Sequence, residues 1–226
     1  FTGARFGCHA EYIAIPEDGA IAAKPASLSF EEAAALCFGG TTALHFLRDR
    51  ARVARGERVL VNGAGGSVGV AAVQIARHLG AHVTAVCSLG KANRVASLGA
   101  QATIDYGTTD FAVLGEHWDV IVDTVGNVTP RRVRSAVNER GRLLLLAAGL
   151  PDLIAAPFHS ARSRLAVIAG VAPGRREDVL TLKALFDGGA YKPVIDSRFA
   201  FDDMVDAHRR VEAGGKTGSV AVTVAG

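Results

Sequence analysis

Short apolar runs alternate with amphipathic segments through the middle of the chain, and this alternation predicts most of its secondary structure. Residues 58–62 form an apolar run bounded by glycines, which is typical of a buried strand. Apolar positions over residues 68–79 recur at helical spacing and end at Gly80, a residue type favoured just after a helix. The same alternation predicts further strands over residues 82–86, 102–105, 119–123, 142–147 and 165–168, and helices over residues 91–98, 130–137 and 175–186.

Strands that alternate with helices imply parallel strands joined by right-handed crossovers. The sequence therefore predicts an α/β fold with a doubly wound parallel sheet, the Rossmann architecture, over residues 29–190. The flanking pattern is weaker. It predicts short strands over residues 9–15 and 20–24, and a final strand, helix and strand over residues 193–196, 201–212 and 220–224.

A helix is also predicted ahead of the alternating region. Ser29 is a good N-cap, and Glu31 and Glu32 place negative charge in the first turn, where it favours the helix dipole. Two successive glycines, Gly39 and Gly40, predict an interruption, after which the helix resumes over residues 42–50.

Composition narrows the function classes. The chain has 226 residues, of which 49% are apolar, and a formal charge of +3 is too small to indicate nucleic-acid binding. No apolar run is long enough to cross a membrane, and three widely spaced cysteines favour a reducing, cytoplasmic location. The first residue is Phe1 and the single methionine is Met204, so the sequence is expected to be part of a longer protein.

The turn over residues 63–69 (GAGGSVG) carries the clearest chemistry. It lies between a predicted strand and a predicted helix, where a dinucleotide fold binds its phosphates. Gly63 permits a sharp turn, Gly66 permits close approach of a pyrophosphate, and Gly69 permits close packing of the helix. No Gly-Lys-Ser/Thr follows, which disfavours a phosphate-transferring loop. A dinucleotide site is predicted, and a tight turn without a ligand is the alternative.

The end of the next strand indicates which dinucleotide. No Asp or Glu occurs between Gly80 and Gly99, although a carboxylate there usually holds the ribose 2′-hydroxyl of NAD. Ser88, Lys91 and Arg94 are present instead, and a hydroxyl and a cation suit a 2′-phosphate. The sequence thus favours NADP(H) over NAD(H), and solvated cations on a surface helix are the alternative.

Several motifs, in order, resemble the medium-chain dehydrogenase/reductase superfamily, and the zinc-independent, quinone oxidoreductase-like branch most of all. They are residues 7–12 (GCHAEY), 28–34 (LSFEEAA), 39–44 (GGTTAL), 59–62 (VLVN) with the glycine turn, 98–106 (LGAQATIDY), 123–126 (DTVG), 141–143 (GRL) and 215–218 (GKTG). The resemblance implies a domain order of a catalytic-domain remnant (residues 1–28), a Rossmann domain with a bridging helix (29–190) and a C-terminal return segment (191–226).

The resemblance also implies an activity and a set of cofactor contacts. The activity is hydride transfer from NADPH to an enone, quinone or related small carbonyl compound without a metal, in a protein that is often a homodimer. No general acid is nominated, so the catalytic residues stay unassigned. The implied contacts are Gly63, Gly66, Ser67 and Val68 at the pyrophosphate, Ser88 and Lys91 at the 2′-phosphate, Tyr106 at the adenosine, Lys216 closing over the phosphates, and Thr42, Val125, Ala147 and Ala148 toward the nicotinamide.

Two other functions remain open. Residues 37–41 (CFGGT) have the form in which zinc-dependent alcohol dehydrogenases of the superfamily place a zinc-ligating cysteine. Catalytic zinc needs three protein ligands, however, and Cys37 alone cannot supply them, so a buried apolar role is expected. The alternatives are therefore a fragment of a zinc-dependent alcohol dehydrogenase and an NADPH-binding module without catalysis.

Overall fold

A computed structural model of the chain describes residues 7–147, 149, 156–157, 160 and 165–224. Six strands form one parallel sheet in the order β3-β2-β1-β4-β5-β6. They are β1 (Arg58–Asn62), β2 (His82–Cys87), β3 (Ala102–Asp105), β4 (Trp118–Asp123), β5 (Val137–Leu145) and β6 (Ala166–Ala169). This order confirms the predicted doubly wound sheet. It also leaves a crevice at the carboxyl ends of β1 and β4, where the winding direction changes.

Helices flank the sheet, and a second, smaller sheet closes the chain. The helices are α1 (Phe30–Leu44), which continues as a π-helical segment (His45–Arg50), α2 (Ser67–His78), α3 (Ala92–Ser97), α4 (Arg176–Asp187) and α5 (Met204–Glu212). Strands β7 (Ile195–Ala200) and β8 (Ser219–Thr223) form a two-stranded parallel sheet. Within the described residues, no helix is both long and apolar enough to cross a bilayer.

The core lies on both faces of the six-stranded sheet. Val59 and Val61 pack into one apolar cluster together with residues of α1, α2 and α4, whereas Leu60 between them packs into a second cluster with Ile121 and Leu143. Successive side chains of a strand point to opposite faces, so a strand that is covered on both sides is apolar throughout. This explains why runs of consecutive apolar residues predict the central strands.

The bridging helix begins as predicted but is not interrupted. Ser29 Oγ accepts the N–H of Glu32, and a Glu32 carboxylate oxygen accepts the N–H of Ser29, which forms a complete capping box. Helix α1 runs unbroken through Gly39 and Gly40. A Cβ on Gly39 would overlap the carbonyl oxygen of Ser67, and one on Gly40 would lie 2.8 Å from Leu182 side-chain carbons. The glycines therefore permit close helix packing, and the predicted interruption is wrong.

Three other predicted elements differ from the structure. Residues 9–15 and 20–24 are irregular, because a strand needs a hydrogen-bonded partner and none pairs with them among the described residues. Residues 130–136 form turns rather than a helix, since β5 begins at Val137, where the chain must already be extended to pair with Trp118. The division into residues 1–28, 29–190 and 191–226 stays a prediction.

Candidate dinucleotide-binding site

The glycine turn is held at the carboxyl end of β1 by close contacts that only glycine permits. Gly63 has a φ of +79°, and a Cβ there would lie 2.5 Å from Thr124 Oγ1 and from Val125 Cγ2. A Cβ on Gly69 would overlap the carbonyl oxygen of Gly63. These two positions bring the loop after β4 against one side of the turn and helix α2 against the other.

The amino end of α2 has the features of an anion site. The bond from Val70 N to the carbonyl of Gly66 is the first of the helix, so the N–H groups of Ser67 and Val68 precede the helical ladder. No side chain caps this end, and a Cβ on Gly66 would meet only the Gly63 carbonyl oxygen, at 3.5 Å. An uncapped helix amino end beside open space fits a phosphate group.

Lys91 reaches back to the glycine turn from the end of β2. A Cβ on Gly65 would lie 2.6 Å from Lys91 Cδ, so the lysine stem covers that glycine. Ser88 is half-buried directly after β2, and its carbonyl accepts the N–H of Lys91 at 2.9 Å. Arg94, by contrast, is exposed on α3. The structure therefore brings Ser88 and Lys91 to the site and leaves Arg94 in solvent.

A short segment before β8, residues 214–218, crosses the glycine turn; we call it the C-terminal strap. Gly218 N donates to the carbonyl of Gly65 at 2.8 Å, and Lys216 Nζ donates to the carbonyl of Gly218 at 2.7 Å. Burial lowers the pKa of Lys216, while the nearby Asp196 carboxylate opposes that shift. Asp196 also accepts the backbone N–H of Thr217 at 2.8 Å, which pins the strap in place.

Ser67 lies at the junction of three elements. Its hydroxyl shares a 2.8 Å hydrogen bond with that of Ser219 on β8, and its backbone faces Gly39 on α1. The Ser67 hydroxyl is thus engaged with the protein, and the neighbouring Gly66 forms a parallel bridge with Gly218 of the strap. Thr42 lies one turn beyond Gly39, and its hydroxyl donates to the carbonyl of Phe38 at 2.8 Å.

The remaining predicted contacts border the same edge of the sheet. Tyr106 follows β3, is 66% exposed, and donates its backbone N–H to the carbonyl of Cys87 at the end of β2. Val125 is 53% exposed beside Gly63. The carbonyl oxygen of Ala147 lies 3.3 Å from a Cβ placed on Gly126, and Ala148 falls outside the described residues.

Sequence reasoning did not identify Asp123 and Asn62 as site residues. Asp123, the last residue of β4, is 1% exposed, and its carboxylate accepts the N–H groups of Val125, Gly126 and Val128 as well as a proton of the Asn62 amide. The sequence signal that could have identified them is a polar residue directly after three consecutive apolar residues in each of two adjacent strands.

Cys37 shows no metal-site geometry. It is half-buried on α1, its thiol donates to the carbonyl of Ala33 at 3.4 Å, and burial raises its pKa. Across the described ranges, no group of three or more His, Cys, Asp or Glu residues could hold a metal ion. Chemistry without a metal stays a prediction.

Known proteins resemble this chain over nearly its whole length. A family profile described as zinc-binding dehydrogenase matches residues 98–222. The chain is 34% identical over 222 residues to a 2-methylene-furan-3-one reductase of Solanum lycopersicum, and 33% identical over 230 residues to a chloroplastic NADPH-dependent alkenal/one oxidoreductase of Arabidopsis thaliana. Each match covers 96% of this chain and 53% of the relative, so the chain spans about half the length of these relatives.

Solved structures agree with the sequence relatives. A quinone oxidoreductase of Coxiella burnetii superposes with a TM-score of 0.81 at 25% identity, covering 89% of this chain and 63% of that one. A structure described as an NAD-dependent alcohol dehydrogenase superposes with a TM-score of 0.84 at 30% identity, covering 98% of this chain and 66% of that one. The chain therefore belongs to the zinc-binding dehydrogenase family of the medium-chain dehydrogenase/reductase superfamily, alongside its quinone oxidoreductases.

Proposed function

We propose that this chain is the cofactor-binding part of an NADPH-dependent oxidoreductase that reduces an enone, a quinone or a related small carbonyl compound. The observation that carries the proposal is the glycine turn at the crevice between β1 and β4, with open space at Gly66 and the Lys91 side chain beside it. The reductases that this chain resembles support the substrate class. Because the chain spans about half of their length, the activity is proposed for the whole protein.

The end of β2 supports the 2′-phosphorylated cofactor. A ribose 2′-hydroxyl would be held there by a carboxylate, whereas this chain presents the Ser88 hydroxyl and the Lys91 ammonium. One relative is named for NADPH, and one structural neighbour is named for NAD, so the names alone do not decide between the two cofactors. The charge at the end of β2 supports the proposal of NADPH.

The residues of the site would bind and orient the cofactor, and the nicotinamide would supply the hydride. The backbone at Gly66, Ser67 and Val68 would hold the pyrophosphate, with Lys216 at its rim. Ser88, Lys91 and Tyr106 would hold the phosphorylated adenosine on the β2 and β3 side. Thr42, Val125, Ala147 and Ala148 would border the nicotinamide end and keep water from it. The proposal also includes a homodimeric assembly, a cytoplasmic location and hydride transfer that needs no metal.

The experiment is a calorimetric titration of this chain with NADPH and with NADH. We expect NADPH to bind at least about tenfold more tightly, because the extra phosphate gains charge-assisted hydrogen bonds. Tighter binding of NADH, or no binding of either, would contradict the proposal. The full-length protein is then assayed with an enone and a quinone, and NADPH binding without turnover of either would identify a binding module instead.

A further inference from the structure

A buried carboxylate at the end of β4 organises the loop beside the glycine turn. Asp123 Oδ1 accepts the Asn62 amide at 2.9 Å and the N–H of Val125 at 3.1 Å. Asp123 Oδ2 accepts the N–H of Gly126 at 3.1 Å and that of Val128 at 3.2 Å. All four donors are neutral. A buried carboxylate is tolerated only when hydrogen bonds replace its lost water, and here the donors come largely from the loop itself.

Asn62 ties that arrangement to the glycine turn. It is the last residue of β1 and directly precedes Gly63, and its side-chain amide donates both to Asp123 and, at 2.8 Å, to Asn127 Oδ1. Its backbone carbonyl accepts the Thr124 hydroxyl at 2.8 Å. The first and last parts of the loop over residues 124–128 are therefore fixed to β1 as well as to β4.

The sheet order indicates which half of the cofactor this loop faces. Strand β1 lies between β2, which carries Ser88 and Lys91 after its end, and β4, which carries the loop. With the 2′-phosphate on the β2 side, a dinucleotide that crosses the glycine turn extends its other half toward β4. Val125 is half-exposed on that side and contacts the turn at Gly63, whereas Asp123 is buried beneath it.

We propose that Asn62 and Asp123 form a positioning pair that sets the loop over residues 124–128, and through Val125 orients the nicotinamide half of the cofactor. Neither side chain of the pair needs to contact the cofactor. The inference rests on the proposed function, because it requires a nicotinamide dinucleotide in the crevice. A pair that served stability alone would affect both halves of the cofactor equally, and this difference is measurable.

The test compares two ligands in two variants with the same substitution on the same strand. Asp123→Asn keeps the shape of the side chain but turns one acceptor oxygen into a donor that faces backbone N–H groups. The control is Asp119→Asn at the opposite end of β4, where Asp119 accepts the N–H of Arg58 at 2.8 Å and the Asn138 amide at 2.7 Å. Affinities for NADPH and for adenosine 2′,5′-bisphosphate, which lacks the nicotinamide half, are measured by calorimetry.

We expect Asp123→Asn to weaken NADPH binding about tenfold and to change binding of the bisphosphate by less than about twofold, and Asp119→Asn to change neither ligand by more than about twofold. The fluorescence of bound NADPH should also shift in Asp123→Asn, because it reports the surroundings of the nicotinamide. Equal weakening of both ligands, unchanged NADPH binding, or the same effect in the control would overturn the inference.

A second variant serves if Asp123→Asn does not fold. Asn62→Ala removes two donors but leaves Asp123 with its three backbone N–H groups, so the fold is less disturbed. The same selective loss for NADPH is expected, at about threefold. The unaltered chain separates the two failures. If it bound NADPH no more tightly than the bisphosphate, only the inference would fail. If it bound neither ligand, the proposed function would fail.

Discussion

The Lys91 ammonium donates a 2.9 Å hydrogen bond to the backbone carbonyl of Lys216. This bond joins the segment after β2 to the C-terminal strap, and the lysine stem crosses Gly65 on the way. The residue proposed to recognise the 2′-phosphate therefore also holds the strap over the glycine turn. If the proposed function holds, cofactor selectivity and the position of the strap both depend on this side chain.

Lys91→Met should remove cofactor selectivity while it keeps the apolar cover over Gly65. A hydrogen bond to a charged group contributes about 1.5–3 kcal/mol, so we expect NADPH binding to weaken by about 10- to 100-fold. NADH, which lacks the 2′-phosphate, should weaken much less, by about threefold at most, through loss of the bond from Lys91 to the strap. Calorimetric titration with both cofactors measures this, with Lys183→Met as the control, since Lys183 pairs with Asp187 on the surface of α4. A parallel loss of both cofactors would argue against a role in selectivity.

Gly69→Ala should destabilise the fold as well as the site. The added methyl group would overlap the carbonyl oxygen of Gly63, so α2 must move away from the turn. Overpacking of this kind costs about 1–3 kcal/mol, and a lower thermal midpoint with weaker NADPH binding is expected. Gly90→Ala is the matched control, because a Cβ there meets nothing within 4 Å. Equal thermal midpoints for the two variants would contradict the close packing.

The six-stranded sheet could be predicted because its central strands are covered on both faces and so carry runs of consecutive apolar residues, such as residues 59–61 and 120–122. The predicted helix break at Gly39 and Gly40 is wrong because packing against distant segments decides the conformation there. Local propensity disfavours glycine within a helix, but the close approach to Ser67 and Leu182 requires it. The local pattern over residues 130–137 predicts a helix, but β5 already begins at Val137. That early start is set by pairing with β4, which the local pattern does not show.

The site was predictable where one local segment carries it and not where distant segments meet. The glycine turn is continuous in sequence, so strand, turn and helix together identify it. The bond between Lys91 and Lys216 joins residues 125 positions apart, and that between Asn62 and Asp123 joins residues 61 positions apart. Such contacts follow from the strand order, which the spacing of apolar residues does not determine.

Asp178→Asn should lower stability more than a surface substitution of the same type. Asp178 is fully buried at the start of α4 and accepts Arg48 Nη2 at 2.7 Å and Arg175 Nε at 2.9 Å. Removing one partner of a buried ion pair costs about 3–5 kcal/mol, and about 2–3 kcal/mol is expected here because both arginines are about one-third exposed. Urea unfolding measures the loss. Asp187→Asn, on the surface of the same helix, should change stability by less than about 0.5 kcal/mol.

The same ion cluster should make stability depend on pH in the acid range. Hydrogen bonds, first from Arg48 and then from Arg175, lower the pKa of Asp49 from 3.8 to about 2. A carboxylate with a lowered pKa in the folded state stabilises fully above its unfolded pKa, and the contribution is lost as the pH falls toward the folded value. Because a quarter of the Asp49 side chain is exposed to solvent, we expect its contribution to the free energy of unfolding to be about 1 kcal/mol. In urea unfolding, the advantage of the unaltered chain over Asp49→Asn should shrink between pH 5 and pH 3. Asp206→Asn, in an exposed pair with Arg209, should show no such change, and a constant difference for Asp49→Asn across this range would refute the assignment.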